Sequence, residues 1–265
     1  MPPSGMVAGV DVGFSTTRRS SAICKMWWDV DNVNWSIRRY RAIPSEREAV
    51  FRELLGGAEL CAIALDGPLR SGLDQINAYR TAERVLTSDS IRRKIGKPGQ
   101  SNSPVGKRLN QETNLCAELA LRFAEISAAK HDLKIHERSI VEAFPSSFLG
   151  VMLPDPNSVV TVRAKRSDIF YKTLAASGKL RALLEFLLPK RAVGNDLNLV
   201  TNHDDRAALI CAITAIGVAA GKFCAVGDRR NGWIILPPPQ FIEPWADKIL
   251  NENGKLDQSY FRSLQ

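Results

Sequence analysis

The stretch Met6–Gly13 (MVAGVDVG) is a short apolar run that ends in an aspartate, Asp11, at the start of a glycine-containing turn. The same arrangement recurs at Cys61–Pro68 (CAIALDGP), where Asp66 takes the equivalent position. Short apolar runs bounded by turn residues predict buried β-strands. An unpaired carboxylate at the end of a buried strand is costly. Each stretch therefore predicts a functional acid at the edge of a sheet.

Asp11 and Asp66 together indicate a divalent metal site. If the two strands lie side by side, two like charges meet at one sheet edge, and a cation is needed to balance them. Mg²⁺ and Mn²⁺ suit a set of ligands made only of oxygen atoms. The alternative is that each aspartate only caps the turn that follows its strand.

The order of the elements predicts an α/β protein with a central mixed sheet. The predicted strands cover residues 6–12, 20–28, 33–43, 60–65, 139–144 and 232–237. The predicted helices cover residues 45–55, 74–87, 107–130, 145–152, 165–188 with a break at Ser177-Gly178, and 203–221. This order matches the ribonuclease H-like fold, a three-layer architecture with a five-stranded mixed sheet and helices on both faces. In that fold the first strand lies beside the fourth, which is the arrangement that Asp11 and Asp66 require.

The composition of the 265-residue chain, with 45% hydrophobic and 24% charged residues, is ordinary for a soluble globular protein. No stretch approaches the roughly 20 apolar residues that a membrane span needs. The first residues lack the features of a signal peptide, and the five cysteines form no C-x-x-C pair. We therefore expect a cytoplasmic protein that has no zinc site and does not associate with a membrane. Residues 1–240 are predicted to form one domain, and 241–265 a C-terminal surface tail.

The net charge of +8 favours polyanionic partners. Between Asp89 and Glu112 the chain has six cations and no acid, and glycine, proline and serine separate them. This pattern predicts a basic helical or loop insertion around residues 88–108. Three of its cations, Arg92, Arg93 and Lys94, are predicted to bind nucleic acid. The alternative is a solvated linker.

Further motifs follow along the chain in a fixed order. They are Gly9–Gly13 (GVDVG), Ala64–Leu69 (ALDGPL), Val141–Pro145 (VEAFP), Lys165-Arg166 at a helix start, His203–Ala212 (HDDRAALICA) and Gly232–Pro237 (GWIILP). This series, which covers about residues 6–237, resembles a bacterial and archaeal family of predicted nucleases with a ribonuclease H-like fold, domain-of-unknown-function family four-two-nine. The resemblance implies a hydrolase that cuts phosphodiester bonds of DNA or RNA with Mg²⁺ or Mn²⁺.

The candidate catalytic acids are assigned by their positions on rigid elements. Asp11 is predicted to bridge two metal ions, and Asp66 to bind one of them. The other metal is assigned to Asp204 or Asp205, because both lie at the start of the last predicted helix. Successive helix positions differ by about 100°, so only one of the two can face the site. Asp204 is favoured because it shares a helix face with small residues, which let the helix approach the sheet.

Glu142 ends the fifth predicted strand and is the remaining candidate catalytic acid. It is either a metal ligand or the partner of an arginine such as Arg138 or Arg166. Arg70 follows the second acidic turn, and Lys165 and Arg166 lie near a predicted helix start, where the helix dipole does not favour cations. These three residues are predicted to bind substrate phosphates; the alternative is that they only face solvent.

One position departs from the family pattern. Members often carry a second aspartate three residues after the first acid of the terminal helix, and this chain has Ala207 there. The missing carboxylate favours, as an alternative, a catalytically silent protein that binds nucleic acid or acts as a scaffold. A less favoured alternative is an actin-like phosphotransferase, because Gly9–Thr17 resembles the first phosphate-binding turn of that superfamily. The chain has room for only one of the two related halves that those proteins use.

Overall fold

The protein is an α/β structure organised around one large mixed sheet. The computed structural model describes residues 1–70, 79–96, 98–126, 139–159, 162, 165–254 and 260–262. The strands in these ranges are β1 Gly5–Asp11, β2 Ser21–Trp28, β3 Asn32–Tyr40, β4 Glu59–Leu60, β5 Ala62–Asp66, β6 Glu125–Ile126, β7 Ile140–Ala143, β8 Ala192–Val193, β9 Cys224–Asp228, β10 Gly232–Leu236 and β11 Tyr260–Arg262.

Nine of these strands form one sheet in the order β11-β9-β10-β7-β5-β1-β2-β3-β8, while β4 and β6 pair separately. β1, β2 and β3 are antiparallel neighbours that follow one another along the chain. β5 lies on the other side of β1 and runs parallel to it, and β7 runs parallel to β5. The expected position of the fourth predicted strand beside the first is therefore confirmed.

The sheet is wider than the five strands expected for a ribonuclease H-like fold. β9 was not predicted; it forms an antiparallel pair with β10 and extends the sheet beyond β7. The segment 241–265 was expected to be a surface tail, yet it contains a helix over Pro244–Gly254 and β11, which pairs with β9. β11 has only three residues, so its strand conformation depends on this distant partner and not on a local pattern.

The helices cover both faces of the sheet. In the described ranges they are α1 Pro44–Leu55, α2 Thr81–Leu86, α3 Asp89–Ile95, α4 Pro104–Phe123, α5 Pro145–Gly150, α6 Pro156–Val159, α7 Arg166–Ala176, α8 Lys179–Leu187, α9 His203–Ala219 and α10 Pro244–Gly254. The predicted break between α7 and α8 is confirmed, because Gly178 has a left-handed φ of 76°. Among the helices that the structure describes, none is long and apolar enough to cross a membrane.

Two predicted helices have different bounds in the structure. The helix expected over 74–87 begins at Thr81, and the residues 71–78 lie outside the described ranges. The helix expected over 107–130 begins earlier, at Pro104, because the Ser103 hydroxyl accepts a hydrogen bond from the Gly106 amide and caps it. It ends at Phe123. The basic segment around 88–108 therefore consists mainly of α3 and the first turn of α4.

Strand side chains alternate between two cores, one on each face of the sheet. Val7 and Ala64 belong to the core that contains the buried face of α9. Val10 and Leu65 belong to the opposite core, to which α1 and α4 contribute. Asp11 and Asp66 follow the parity of Val7 and Ala64, so both aspartates lie on the α9 face.

Gly9 lets α9 approach the sheet closely. A Cβ atom at this position would lie 2.0 Å from the Ala212 nitrogen and 2.3 Å from the Ala208 oxygen. Any larger residue would therefore push the helix backbone away from β1. This close packing carries the first turn of α9 towards the sheet edge at which β1 and β5 end.

Candidate functional site: an aspartate cluster at the sheet edge

The centre of the candidate site is the pair Asp11 and Asp66. The two residues are register partners on the parallel strands β1 and β5. Neighbouring strands lie about 4.8 Å apart, so these two side chains of the same face are close neighbours. Both residues are partly exposed at the surface, but their carboxyl groups are largely desolvated.

Among the described residues, no lysine or arginine forms an ion pair with Asp11 or Asp66. Burial raises the pKa of Asp11 well above its usual value, and the charges of Asp66, Asp204 and Asp205 raise it further. Burial also raises the pKa of Asp66 to about 7, although the nearby charge of His203 opposes the shift. A bound cation would remove much of this penalty, because an opposite charge favours the ionised carboxylates.

Two more carboxylates, Asp204 and Asp205, lie in the first turn of α9. The cap of this helix is Asn202, whose side-chain oxygen accepts hydrogen bonds from the amides of Asp204 at 2.9 Å and Asp205 at 3.3 Å. The Asp204 side chain therefore does not cap the helix. Burial raises the pKa values of both carboxyl groups.

Asp204 and Asp205 differ in their relation to Asp11. Asp205 Oδ1 lies 3.4 Å from the Arg39 Nε atom, so an arginine already balances this acid. The charge of Asp204 has the larger effect on the pKa of Asp11. The second observation favours Asp204 as the acid of α9 that serves the site, and this assignment stays a prediction.

Arg39 is a residue of the site that the sequence analysis missed. Register partners form one row across four strands, from Asp66 through Asp11 and Ala22 to Arg39. Ala22 is small, so the longer side chains on either side of it can approach each other above the sheet. The alternation of β3 could have predicted the face on which Arg39 lies, because Trp35 and Ile37 share its parity along the strand.

Glu142 lies on the other face of the sheet from the aspartate cluster, although its charge helps to raise the pKa of Asp66. It is the register partner of Leu65, whose side chain lies in the core on the other face of the sheet. Its carboxylate accepts a hydrogen bond from Arg80 Nη2 at 2.6 Å and one from the Leu69 amide at 3.2 Å. The expectation of a metal ligand is therefore corrected to a buried ion pair, and the partner is Arg80.

The arginine partners suggested for Glu142 from the sequence were different. Arg138 lies outside the described residues, and Arg166 lies against Gly96 at the end of α3. Arg80 is 62 residues away from Glu142 in the chain and also binds Glu83, its neighbour on α2. No local pattern indicates this contact, which only the fold creates.

The predicted phosphate-binding cations lie in several places. Arg70 lies against Gly232 of β10 and lines a small pocket with Glu142, which places it beside the buried ion pair. Lys165 is exposed directly before α7, and Arg166 is the first residue of that helix. Arg70 is close to Asp66 in sequence, but its side chain lies beside the Glu142 ion pair and not beside the aspartates.

The three cations of α3 have acidic partners nearby. Arg92 lies 2.7 Å and Arg93 3.9 Å from the Asp89 carboxylate. Lys94 Nζ lies 3.9 Å from Asp155 and 5.0 Å from the centre of a tryptophan ring. Exposed pairs of this kind are weak, so their role in nucleic-acid binding stays a prediction.

The oxygen donors fit a magnesium or manganese ion in part. Asp11 and Asp66 supply two carboxylates, and Mg²⁺ is commonly bound by one or two carboxylates together with water and substrate phosphate. Within the described ranges, no group of three or more histidine, cysteine or acidic residues is arranged to hold a metal ion. Ala207 is only 6% exposed and adds no ligand. The donors therefore suit one ion on two carboxylates better than two ions.

Comparisons of the chain with family models, with curated proteins and with solved structures found no match. The chemistry of the aspartate cluster is therefore the basis for a functional assignment, because a fold alone does not define an activity.

Proposed function

We propose that the protein is a metal-dependent nuclease of ribonuclease H-like fold, related to the predicted-nuclease family that its motifs resemble. The observation that carries the proposal is the in-register pair Asp11 and Asp66, with Asp204 at the start of α9. The meander β1-β2-β3, with β5 beside β1 and a buried helix packed across them, supports the ribonuclease H-like fold.

The residues of the cluster have separate roles in this proposal. Asp11 and Asp66 would hold Mg²⁺ or Mn²⁺ at the sheet edge. When bound, such an ion lowers the pKa of a bound water and stabilises charge on the phosphoryl group. Asp204 is partly exposed and orients the attacking water by accepting a hydrogen bond. The rigid strand ends and the capped helix keep these carboxylates in place.

The test is a cleavage panel with Mn²⁺ and Mg²⁺ on single strands, duplexes, RNA–DNA hybrids and four-way junctions. Wild-type protein should cut at least one substrate, and Asp11→Asn and Asp66→Asn should each abolish the cut. Asp155→Asn is the matched control, because this exposed acid lies on another element. Full activity in either site variant would show that its residue is not a ligand.

Nucleic-acid binding without cleavage is the second candidate. Ala207 in α9 and the absence of a third positioned ligand in the described ranges favour it. Calorimetric titration with Mn²⁺ and separately with ATP distinguishes the candidates. Binding of Mn²⁺ alone supports the nuclease, binding of neither supports the silent protein, and binding of ATP supports a phosphotransferase.

A further inference from the structure

Exposed arginines flank the aspartate cluster on three different elements. Arg18 lies in the turn between β1 and β2, Arg39 on β3 and Arg108 in α4. Arg18 and Arg39 belong to no sequence motif, and Arg108 lies at the end of the basic segment around 88–108. Arg18 and Arg108 contact the turn that follows Asp11, and Arg39 lies in the register row of Asp11.

Arg108 is held against the turn that follows Asp11. Its Nη2 atom donates a hydrogen bond to the Phe14 carbonyl oxygen at 3.2 Å. Its guanidinium group also lies 4.8 Å from the centre of the Phe14 ring. Phe14 is three residues after Asp11, so these two contacts fix a positive charge close to the sheet edge.

Arg18 is fixed by the same turn. Its amide donates a hydrogen bond to the Ser15 hydroxyl at 3.0 Å, and the Ser15 carbonyl oxygen accepts one from the Ala42 amide at 2.8 Å. The second bond ties the turn to the segment just after β3. The charge of Arg18 also lowers the pKa of Asp204, so it lies near the first turn of α9.

The neighbouring arginines are already neutralised by acids. Arg19 and Arg41 share the Glu46 carboxylate at 3.2 and 2.6 Å. In contrast, no carboxylate of the described residues lies within 4.0 Å of the guanidinium nitrogens of Arg18 or Arg108. Among the described residues these two charges therefore have no acidic partner, and they can bind an external anion. At Arg39, a phosphate would replace the Asp205 carboxylate.

We infer that Arg18, Arg39 and Arg108 form a strip that binds the sugar–phosphate backbone of a nucleic acid across the aspartate cluster. The three arginines come from β3, α4 and the turn after β1. A polymer with a phosphate at every nucleotide can contact all three elements, whereas a single phosphate occupies one point among them. This inference rests on the proposed function and names the surface that positions its substrate.

The experiment compares two triple variants that each remove three positive charges. The strip variant is Arg18→Gln, Arg39→Gln and Arg108→Gln. The control is Arg52→Gln, Arg122→Gln and Arg181→Gln, three exposed arginines on α1, α4 and α8 that have no assigned role. Affinity for fluorescent duplex and single-stranded DNA and RNA is measured against salt, with chelator present so that no strand is cut. Thermal unfolding checks both variants, and the Arg18→Gln, Arg108→Gln double variant replaces a strip variant that fails to fold.

The strip variant should bind more weakly than wild-type protein, and its slope of log affinity against log salt should fall by up to about 2.7 for a duplex, at about 0.9 per lost phosphate contact. The control should keep the wild-type slope. An unchanged slope in the strip variant, or an equal fall in the control, would overturn the inference. Displacement of the strand by equimolar ATP would also overturn it, because the strip would then bind a mononucleotide.

A parallel Mn²⁺ cleavage assay separates this inference from the proposed function. If wild-type protein binds through the strip but cuts nothing, the nuclease proposal fails and the strip stands. If wild-type protein cuts and the strip variant keeps the wild-type salt slope, the strip fails and the nuclease stands. Wild-type protein that binds no nucleic acid contradicts both.

Discussion

Asp11 and Asp66 are register partners on two adjacent parallel strands, and their side chains lie on the same face of the sheet. Two desolvated carboxylates at this separation repel each other when both are ionised. The metal-free protein therefore carries an electrostatic penalty at its sheet edge, and this penalty can be measured without any assumption about substrate.

The stability of the metal-free protein should fall as the pH rises from about 4 to about 8. Burial raises the pKa of Asp66 to about 7 in the folded protein, from 3.8 for a carboxyl group that is not buried. The unfolded chain therefore binds fewer protons between these two pH values, and the free energy of unfolding decreases as the pH rises. Asp66→Asn should reduce the fall and raise the free energy of unfolding at pH 8 by at least about 1 kcal/mol, since one pKa unit is worth about 1.4 kcal/mol.

Denaturant titrations at several pH values in chelator measure this effect. Asp89→Asn, at an exposed acid on α3, is the control for the substitution itself. A steeper fall in Asp66→Asn than in wild-type protein would contradict the assigned pKa shift.

Glu142→Gln should leave the affinity for Mn²⁺ unchanged. The side chain of Glu142 lies on the face opposite the aspartate cluster and binds Arg80. Asp66→Asn should instead lower the affinity about tenfold or more, because even residues that only support metal ligands cost 10–100-fold. Isothermal calorimetry with Mn²⁺ gives both values. Equal losses in the two variants would mean that Glu142 is a ligand after all.

Arg80→Leu should destabilise the protein by about 3–5 kcal/mol, because it leaves the buried carboxylates of Glu83 and Glu142 without their cation. Arg38→Leu removes an arginine from an exposed pair with Glu53 and should cost about 0–1 kcal/mol. Chemical denaturation compares the two. Similar small losses would show that Arg80 does not stabilise the buried acids.

Gly9→Ala should destabilise the protein by about 3 kcal/mol or more, at or above the upper end of the usual cost of overpacking. The new methyl group would meet the backbone of α9, which cannot move aside as a side chain can. Gly99→Ala is the matched control, because a Cβ atom there has no neighbour within 4 Å. The melting temperatures of the two variants test this prediction. A Gly9→Ala protein with the wild-type melting temperature would contradict the close packing of α9 on β1.

Several parts of the fold were determined by local sequence. The apolar runs that end at Asp11 and Asp66 predict their strands because a buried strand and a turn residue each leave a short-range pattern. The helix that begins at His203 was predicted correctly, since a long apolar segment after capping residues is also local. The break at Gly178 follows from a conformation that glycine adopts more easily than other residues.

Other features were decided only by tertiary structure. The strand β9 and the short strand β11 depend on partners that are distant in the chain, so no short pattern predicts them. The sequence placed Glu142 at a strand end but could not give its register against β5, and register alone sends its side chain to the other face. The same physics brings Arg39 into line with Asp11, because cross-strand pairing joins residues that lie far apart in sequence.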